Sequence, residues 1–361
     1  MIVEKKKIHF SADFITENGF ILKTPEVAYE EYGNPDGEVI VINHGGLSSM
    51  HSAGRYSGEP VNTGWWDGLI GPGKTFDTNR YRIISPNALG SMYGTSSPLT
   101  TNPGTGNPYG ASFPDITMID MAKFNKAFLD ELKISRVFLF AGVSMGSLNN
   151  LQTAALYPEL MRGVISVATA GRMPPSGIAM HYFMMNAIKN DPAFNNGEYI
   201  PGTRFFSLLM IHQMAKIYYT HEDGIKDLCW NTVKESPDSQ TQRCKNILNY
   251  LVTGTDEVIQ DKDPNCYIRI LNAVNSFDLG RDAASYEEGA GRIKCPVLLI
   301  NMTTDQEFPT HWIDELGGVL NSKQPGQARI EKIYSPWGHV GCLRETEQFE
   351  KIFPEFIRSI S

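Results

Sequence analysis

Several things are scarce in this chain of 361 residues, and each scarcity narrows what it can be. There are only five cysteines, Cys229, Cys244, Cys266, Cys295 and Cys342, scattered and with no CxxC pair. That excludes a zinc knuckle and a disulfide framework, and it fits a reducing, cytoplasmic setting. No apolar stretch approaches the length needed to cross a bilayer, so no membrane span is expected. The start, MIVEKKKIHF, carries charge with no apolar segment behind it, so no secretory leader is expected. Basic residues are outnumbered, 32 Lys and Arg against 40 Asp and Glu, giving a net charge of −8. Without a basic cluster to neutralise phosphates, nucleic acid is excluded as the main ligand. No repeat or low-complexity tract is visible, and no metal, flavin or nicotinamide site is indicated.

What is present is a large apolar core. With 18 Phe, 15 Tyr and 5 Trp the chain can bury far more surface than a disordered sequence could. Short β-branched runs at Val39–Asn43, Tyr81–Ser85, Arg136–Phe140, Val164–Ala168 and Pro296–Asn301 read as strands buried on both faces. Helical spacing of Met121, Phe124, Phe128 and Leu132 predicts a helix from about Asp115 to Leu132. A second should run from Met145 to about Tyr157, stopped by Pro158. Strands alternating with helices imply an α/β fold with a mostly parallel sheet and helices on both faces. The stretch from Lys7 to Glu31 reads as an antiparallel hairpin at a sheet edge. From 172 to 289 the rhythm breaks into Met-rich and aromatic patches without a clear strand. The expected organisation is a core of residues 1–171 and 290–361, interrupted by a helical lid at 172–289.

The chemistry concentrates at Gly142-Val143-Ser144-Met145-Gly146, a G-x-S-x-G match between an apolar strand and a helix. That context is what a nucleophile elbow requires: a tight turn lifts the serine hydroxyl above the sheet, at a helix N-terminus. A serine needs a base, and the base needs a carboxylate. In chain order these should be serine, acid, histidine. Asp305 follows the strand CPVLLINM, with Glu307 and Asp314 as alternatives. Of eight histidines only His311 and His339 lie beyond it, and His339 sits in the last loop after an apparent strand, Arg329–Tyr334. Ser144, Asp305 and His339 are the expected catalytic set. Backbone N–H groups of Met145 and Gly46, with Leu47 as the rival of Gly46, are expected to hold an oxyanion. His44 is expected to order that loop.

Gly68 to Thr75 matches the phosphate-binding pattern G-x-x-x-x-G-K-[ST]. Its context fails, because the next residues, FDTNRYRII, read as a strand and offer no helix N-terminus for phosphate. Trp65 and Trp66 are expected to anchor a loop in the core. Met184, Met185, Met210 and Met214 are expected to pack the lid. Arg55 and Arg172 are candidates for a tunnel mouth that attracts the phosphates of coenzyme A.

Four stretches carry a resemblance over nearly the whole chain: GWWDGLIGPGKTFDTNRYRII at Gly64–Ile84, NPGTGNPYGASFPDITMIDM at Asn102–Met121, the elbow at Ser144, and DQEFP at Asp305–Pro309. With Gly338-His339 they resemble the homoserine O-acetyltransferase family of the α/β-hydrolase superfamily. The resemblance implies a helical lid over a tunnel to the serine, often a homodimer, and acetyl-CoA as co-substrate in a ping-pong reaction of amino-acid (methionine) biosynthesis. It also implies acceptor-side roles at Tyr219, which matches a lid tyrosine, at His212, where the family has arginine, and at Val340, where it has aspartate. Without those two charged partners the acceptor stays open, homoserine or a related small alcohol. An esterase or thioesterase could use the same three residues, and a non-catalytic ligand-binding protein could use the same fold.

Overall fold

The computed structural model describes residues 1–58, 63–200 and 202–361. Eight strands form one sheet: β1 Lys6–His9, β2 Glu26–Gly33, β3 Glu38–Asn43, β4 Tyr81–Pro86, β5 Val137–Val143, β6 Met161–Val167, β7 Val297–Met302 and β8 Ala328–Ile333. Their spatial order is β1-β2-β4-β3-β5-β6-β7-β8. The first two joints are antiparallel and the other five parallel. Every residue of β5 and β7 is buried, so helices cover both faces there. This is the α/β-hydrolase fold. The edge differs from expectation in one respect. The turn around Gly19 joins a separate two-stranded ribbon, Phe14–Ile15 with Ile21–Leu22, and the sheet edge is the pairing of Lys6–His9 with β2.

Two helices flank the elbow in sequence, α1 Met118–Glu131 and α2 Met145–Leu156. Between β6 and β7 the described residues hold no strand. They hold α3 Pro175–Lys189, α4 Phe206–Tyr218, α5 Glu222–Cys229, α6 Ser239–Val252, α7 Thr255–Gln260 and α8 Pro264–Asn275. Helix α8 has two buried faces. Ile270, Ala273 and Val274 join the core cluster of the sheet, while Tyr267, Ile268 and Leu271 join a second cluster with Met184, Met185, Ile188 and Leu208. One helix thus fastens the helical region to the sheet. After β7 come α9 His311–Lys323 and, after β8, α10 Thr346–Ser359.

Met184 and Met185 are packed as expected, but Met210 is 46% exposed. It lies one helical turn from exposed Phe206 and on the face of exposed Ile217. Helical spacing marks an apolar stripe; it does not say which neighbour the stripe meets. Trp66 is fully buried, and its indole N–H donates to the Cys342 carbonyl at 3.0 Å. The Gly68–Thr75 stretch forms short strands at Ile70–Gly71 and Phe76–Asp77, with Lys74 tied to Asp67, and presents no helix N-terminus. Among the described residues no His, Cys, Asp and Glu group could hold a metal ion, and no helix is long and apolar enough to cross a membrane.

Candidate active site

Ser144 sits between the end of β5 and the start of α2 with φ +51° and ψ −125°. That is a conformation L-residues rarely adopt, and it is held because the neighbouring backbone leaves no other path. A Cβ on Gly146 would fall 2.1 Å from the Asn43 carbonyl oxygen at the end of β3, and one on Gly142 would fall 2.8 Å from it. The two glycines let the elbow close onto the adjacent strand. Ser147 adds a tie: its hydroxyl accepts the Val167 N–H at 2.9 Å and lies 2.7 and 2.8 Å from the Gly142 and Val167 carbonyls. Replacing Gly146 by alanine should therefore lower the unfolding free energy by about 3 kcal/mol or more, since a backbone strand must move. Gly318→Ala in α9, where a Cβ meets nothing within 4 Å, should be neutral or slightly stabilising. Denaturant unfolding of the two variants checks the contrast.

Asp305 follows β7 and is buried. Its Oδ1 accepts the backbone N–H groups of Glu307 and Phe308 at 2.8 and 3.0 Å. Its Oδ2 lies 2.8 Å from Nδ1 of His339, whose Nε2 lies 3.0 Å from Ser144 Oγ. The three side chains, far apart in the chain, thus form one continuous hydrogen-bonded line. Of the alternatives, Asp314 is in α9 and paired with Lys332 at 2.6 Å, and His311 is an exposed first residue of the same helix. Glu307 is at the site, but against the other nitrogen of His339, at 3.3 Å.

The loop after β3 lies beside the elbow. A Cβ on Gly46 would be 4.0 Å from Met145 Cβ. Met145 opens α2, so its N–H has no partner within the helix. His44 fixes the loop: Nδ1 donates to the Gly45 carbonyl at 2.7 Å, and Nε2 accepts the Ala88 N–H at 3.0 Å. Burial holds His44 down at about 4, so it stays neutral in that double role. Lys262, between α7 and α8, was not legible in the sequence. Its ammonium donates to the Leu47 carbonyl at 2.8 Å and to the Tyr93 hydroxyl at 2.5 Å, tying the helical region to this loop. Burial pushes it down to about 8.

A cavity of about 500 Å³ opens over Ser144. Gly46, Leu47 and Met145 line its floor with Ser144, and Leu208, Ile259, Ile270 and Leu271 line its walls. The three acceptor-side candidates also line it. Tyr219 stacks 5.1 Å from the His339 ring; His212 is held down by burial and by Lys216 and Lys262; Val340 follows the histidine. Arg55 and Arg172 are not among the lining residues. Arg172 is taken by Glu315 and by the Tyr286 ring 4.3 Å away, so the expectation of a tunnel mouth there is corrected. The exposed lining residue Arg344 marks the open side instead.

Comparison with known proteins agrees with the geometry. Residues 38–346 match the family described as the alpha/beta hydrolase fold. The homoserine O-acetyltransferase of Deferribacter desulfuricans is 36% identical over 99% of this chain and 96% of its own length. Among solved structures, the homoserine O-acetyltransferase from Bacillus anthracis superposes with a TM-score of 0.90 at 26% identity, covering 99% of this chain and 98% of that one. Esterase E22 superposes with a TM-score of 0.87, also at 26% identity, over 99% of this chain and all of its own. The chain therefore belongs to the homoserine O-acetyltransferase family, acyltransferase enzymes built on the α/β-hydrolase fold.

Proposed function

We propose that this protein moves an acetyl group from acetyl-CoA to the hydroxyl of homoserine or a related small alcohol, by way of an ester on Ser144. The observation that carries this reading is the line from Asp305 through His339 to Ser144, at 2.8 and 3.0 Å, beneath a 500 Å³ cavity. Ser144 Oγ attacks the thioester carbonyl as His339 Nε2 takes its proton. The oxyanion is met by the N–H of Met145 and that of Gly46 or its neighbour Leu47. Collapse breaks the C–S bond, and the departing thiolate takes the proton from His339. The acceptor hydroxyl then gives its proton to the same nitrogen and attacks the acyl carbon. Ser144 leaves and recovers a proton from His339. Asp305 keeps the imidazole in the tautomer that leaves Nε2 free. Tyr219, His212 and Val340 form the acceptor side. No resident cofactor or metal takes part in this scheme.

The test is incubation of purified protein with acetyl-CoA, with and without a panel of amino-acid and neutral alcohols, reading free CoA and ester by mass spectrometry. Faster CoA release with an alcohol, matched by ester, is expected. The same release without any alcohol would favour the second reading, a hydrolase, for which the likeness to esterase E22 speaks.

The site also sets a pH dependence. Burial alone would depress His339, but the carboxylates of Asp305 and Glu307 more than offset it and hold the imidazole up at about 9. Tyr219 and Cys342, which also face it, stay neutral because burial pushes both well above their ordinary values. A base must be unprotonated to accept the Ser144 proton. Ester cleavage, followed as kcat/KM for p-nitrophenyl acetate, should rise with pH through neutrality and level off only near pH 9. A plateau already reached at neutral pH would contradict this.

The exposed stripe of Phe206, Met210 and Ile217 on α4 supports a homodimer through the helical region. Light scattering should give twice the chain mass, and Phe206→Glu with Met210→Glu should give the monomer. The scattered unpaired cysteines support a cytoplasmic setting.

A further inference from the structure

Asp305 occupies one nitrogen of His339, and a second buried carboxylate stands at the other. Glu307 Oε2 lies 3.3 Å from His339 Nε2, the nitrogen that also meets Ser144. Glu307 Oε1 lies 3.0 Å from Nε2 of His181 on α3, and His181 Nδ1 lies 2.7 Å from Asn275 Oδ1 on α8. Glu307 and His181 are 3% and 2% exposed, and both line the cavity. Burial works against charge on Glu307, but the His339 and His181 rings more than offset it and hold the carboxyl below its ordinary range. An ionised carboxylate therefore stands where leaving group and acceptor meet the nucleophile. The acid role is already filled by Asp305, so this second carboxylate needs another account.

Its charge balance changes along the reaction. When the first product leaves with the proton of His339, Nε2 is left as a bare lone pair facing Glu307 Oε2. Ser144, now an ester, has no hydroxyl to offer either. In the acyl-enzyme Glu307 has thus lost one of its two partners, and a buried carboxylate short of a hydrogen-bond donor is costly. The acceptor arrives at this stage. A donor carried by the acceptor, above all a cationic one, fills the position with a charge-assisted hydrogen bond. Water and a neutral alcohol bring only the proton that His339 itself must take.

We propose that Glu307, held in place by His181, is a specificity-determining residue that recognises a protonated amine on the acceptor alcohol, beside the hydroxyl that His339 deprotonates. The inference rests on the acyl-Ser144 reading and deepens it by naming the acceptor class: small amino alcohols, amino acids included. The step is balanced. The acceptor O–H proton passes to His339 Nε2, the new C–O bond forms, the bond to Ser144 Oγ breaks, and Ser144 takes the proton back. The amine keeps its proton throughout.

The test forms the acyl-enzyme with p-nitrophenyl acetate and lets matched alcohols compete for it at neutral pH: 3-amino-1-propanol, which is cationic, against 1-butanol, its neutral counterpart. The ratio of the two esters is read within each protein, so differences in acylation rate cancel. The wild-type ratio should favour the amino alcohol by about tenfold or more, and Glu307→Gln should remove most of that preference while Glu307→Asp keeps part of it. Equal use of the two alcohols by the wild type overturns the proposal without recourse to any variant. A strong preference that survives in Glu307→Gln overturns the assignment to Glu307. A normal p-nitrophenol burst followed by hydrolysis alone overturns the transfer reading and this one with it. The absence of a burst overturns the acyl-Ser144 reading itself.

Discussion

Ser144→Ala should lower acetyl transfer and ester cleavage by at least about 10⁴-fold, with the fold intact. The change removes one atom, Oγ, whose hydrogen bond runs to His339 Nε2. The strained backbone at φ +51° is no worse for alanine than for serine, so thermal unfolding should barely move. The loss is large because the remaining groups have nothing to act on. His339 would still stand ready to accept a proton, and the N–H groups of the oxyanion loop would still face the cavity, but no covalent route would exist. A fluorophosphonate probe separates this from a general loss of structure. It should label the wild type at Ser144 and leave the variant untouched while both unfold at nearly the same temperature.

Asp305→Asn should lower kcat by about 10³- to 10⁴-fold, although the two residues have almost the same shape. The reason lies in how Asp305 is held. Its Oδ1 already accepts two backbone N–H groups, from Glu307 and Phe308. An asparagine must keep its carbonyl oxygen toward those donors, which turns its NH₂ toward His339 Nδ1. That nitrogen must then accept, so the proton of the neutral ring moves to Nε2. A protonated Nε2 cannot take the proton of Ser144. The variant should fold, retain the cavity, and label with fluorophosphonate far more slowly than the wild type. Labelling at the wild-type rate would show that Asp305 does not set the tautomer.

Much of the fold was legible in the sequence because parallel strands are buried on both faces and so appear as unbroken apolar runs. The runs at Val39, Tyr81, Arg136, Val164 and Pro296 all became sheet strands, shifted by a few residues at their ends. Lys6–His9 was not legible as the edge. It pairs on one side only and is largely exposed, so its composition carries no burial signal. Ser144, Asp305 and His339 were legible for a different reason: each follows a strand of the sheet, in the order such sheets impose. Glu307 could be noticed only as a rival acid. Its contact with His181 spans 126 positions, and that of Lys262 with Leu47 spans 215. Such pairings depend on how the helical region folds back over the sheet, which local pattern does not encode. Arg172 was misplaced for the same reason, since its partner Glu315 lies 143 residues further on.

The Glu307 carboxylate and the raised basicity of His339 are linked features of one site. Together they describe an enzyme whose base is stabilised in its charged form on both sides, and whose second carboxylate is short of a partner only while the serine is acylated. Neither feature matters, however, unless Ser144 carries the acyl group.

That is measured directly by intact-protein and peptide mass spectrometry after brief exposure to acetyl-CoA without an acceptor. The account predicts a mass increase of one acetyl group, confined to the peptide containing Ser144 and lost on adding an acceptor alcohol that appears as its ester. Turnover to ester with no acetyl group ever found on Ser144, or with acetyl found on a different residue and transferred from it, would contradict the account.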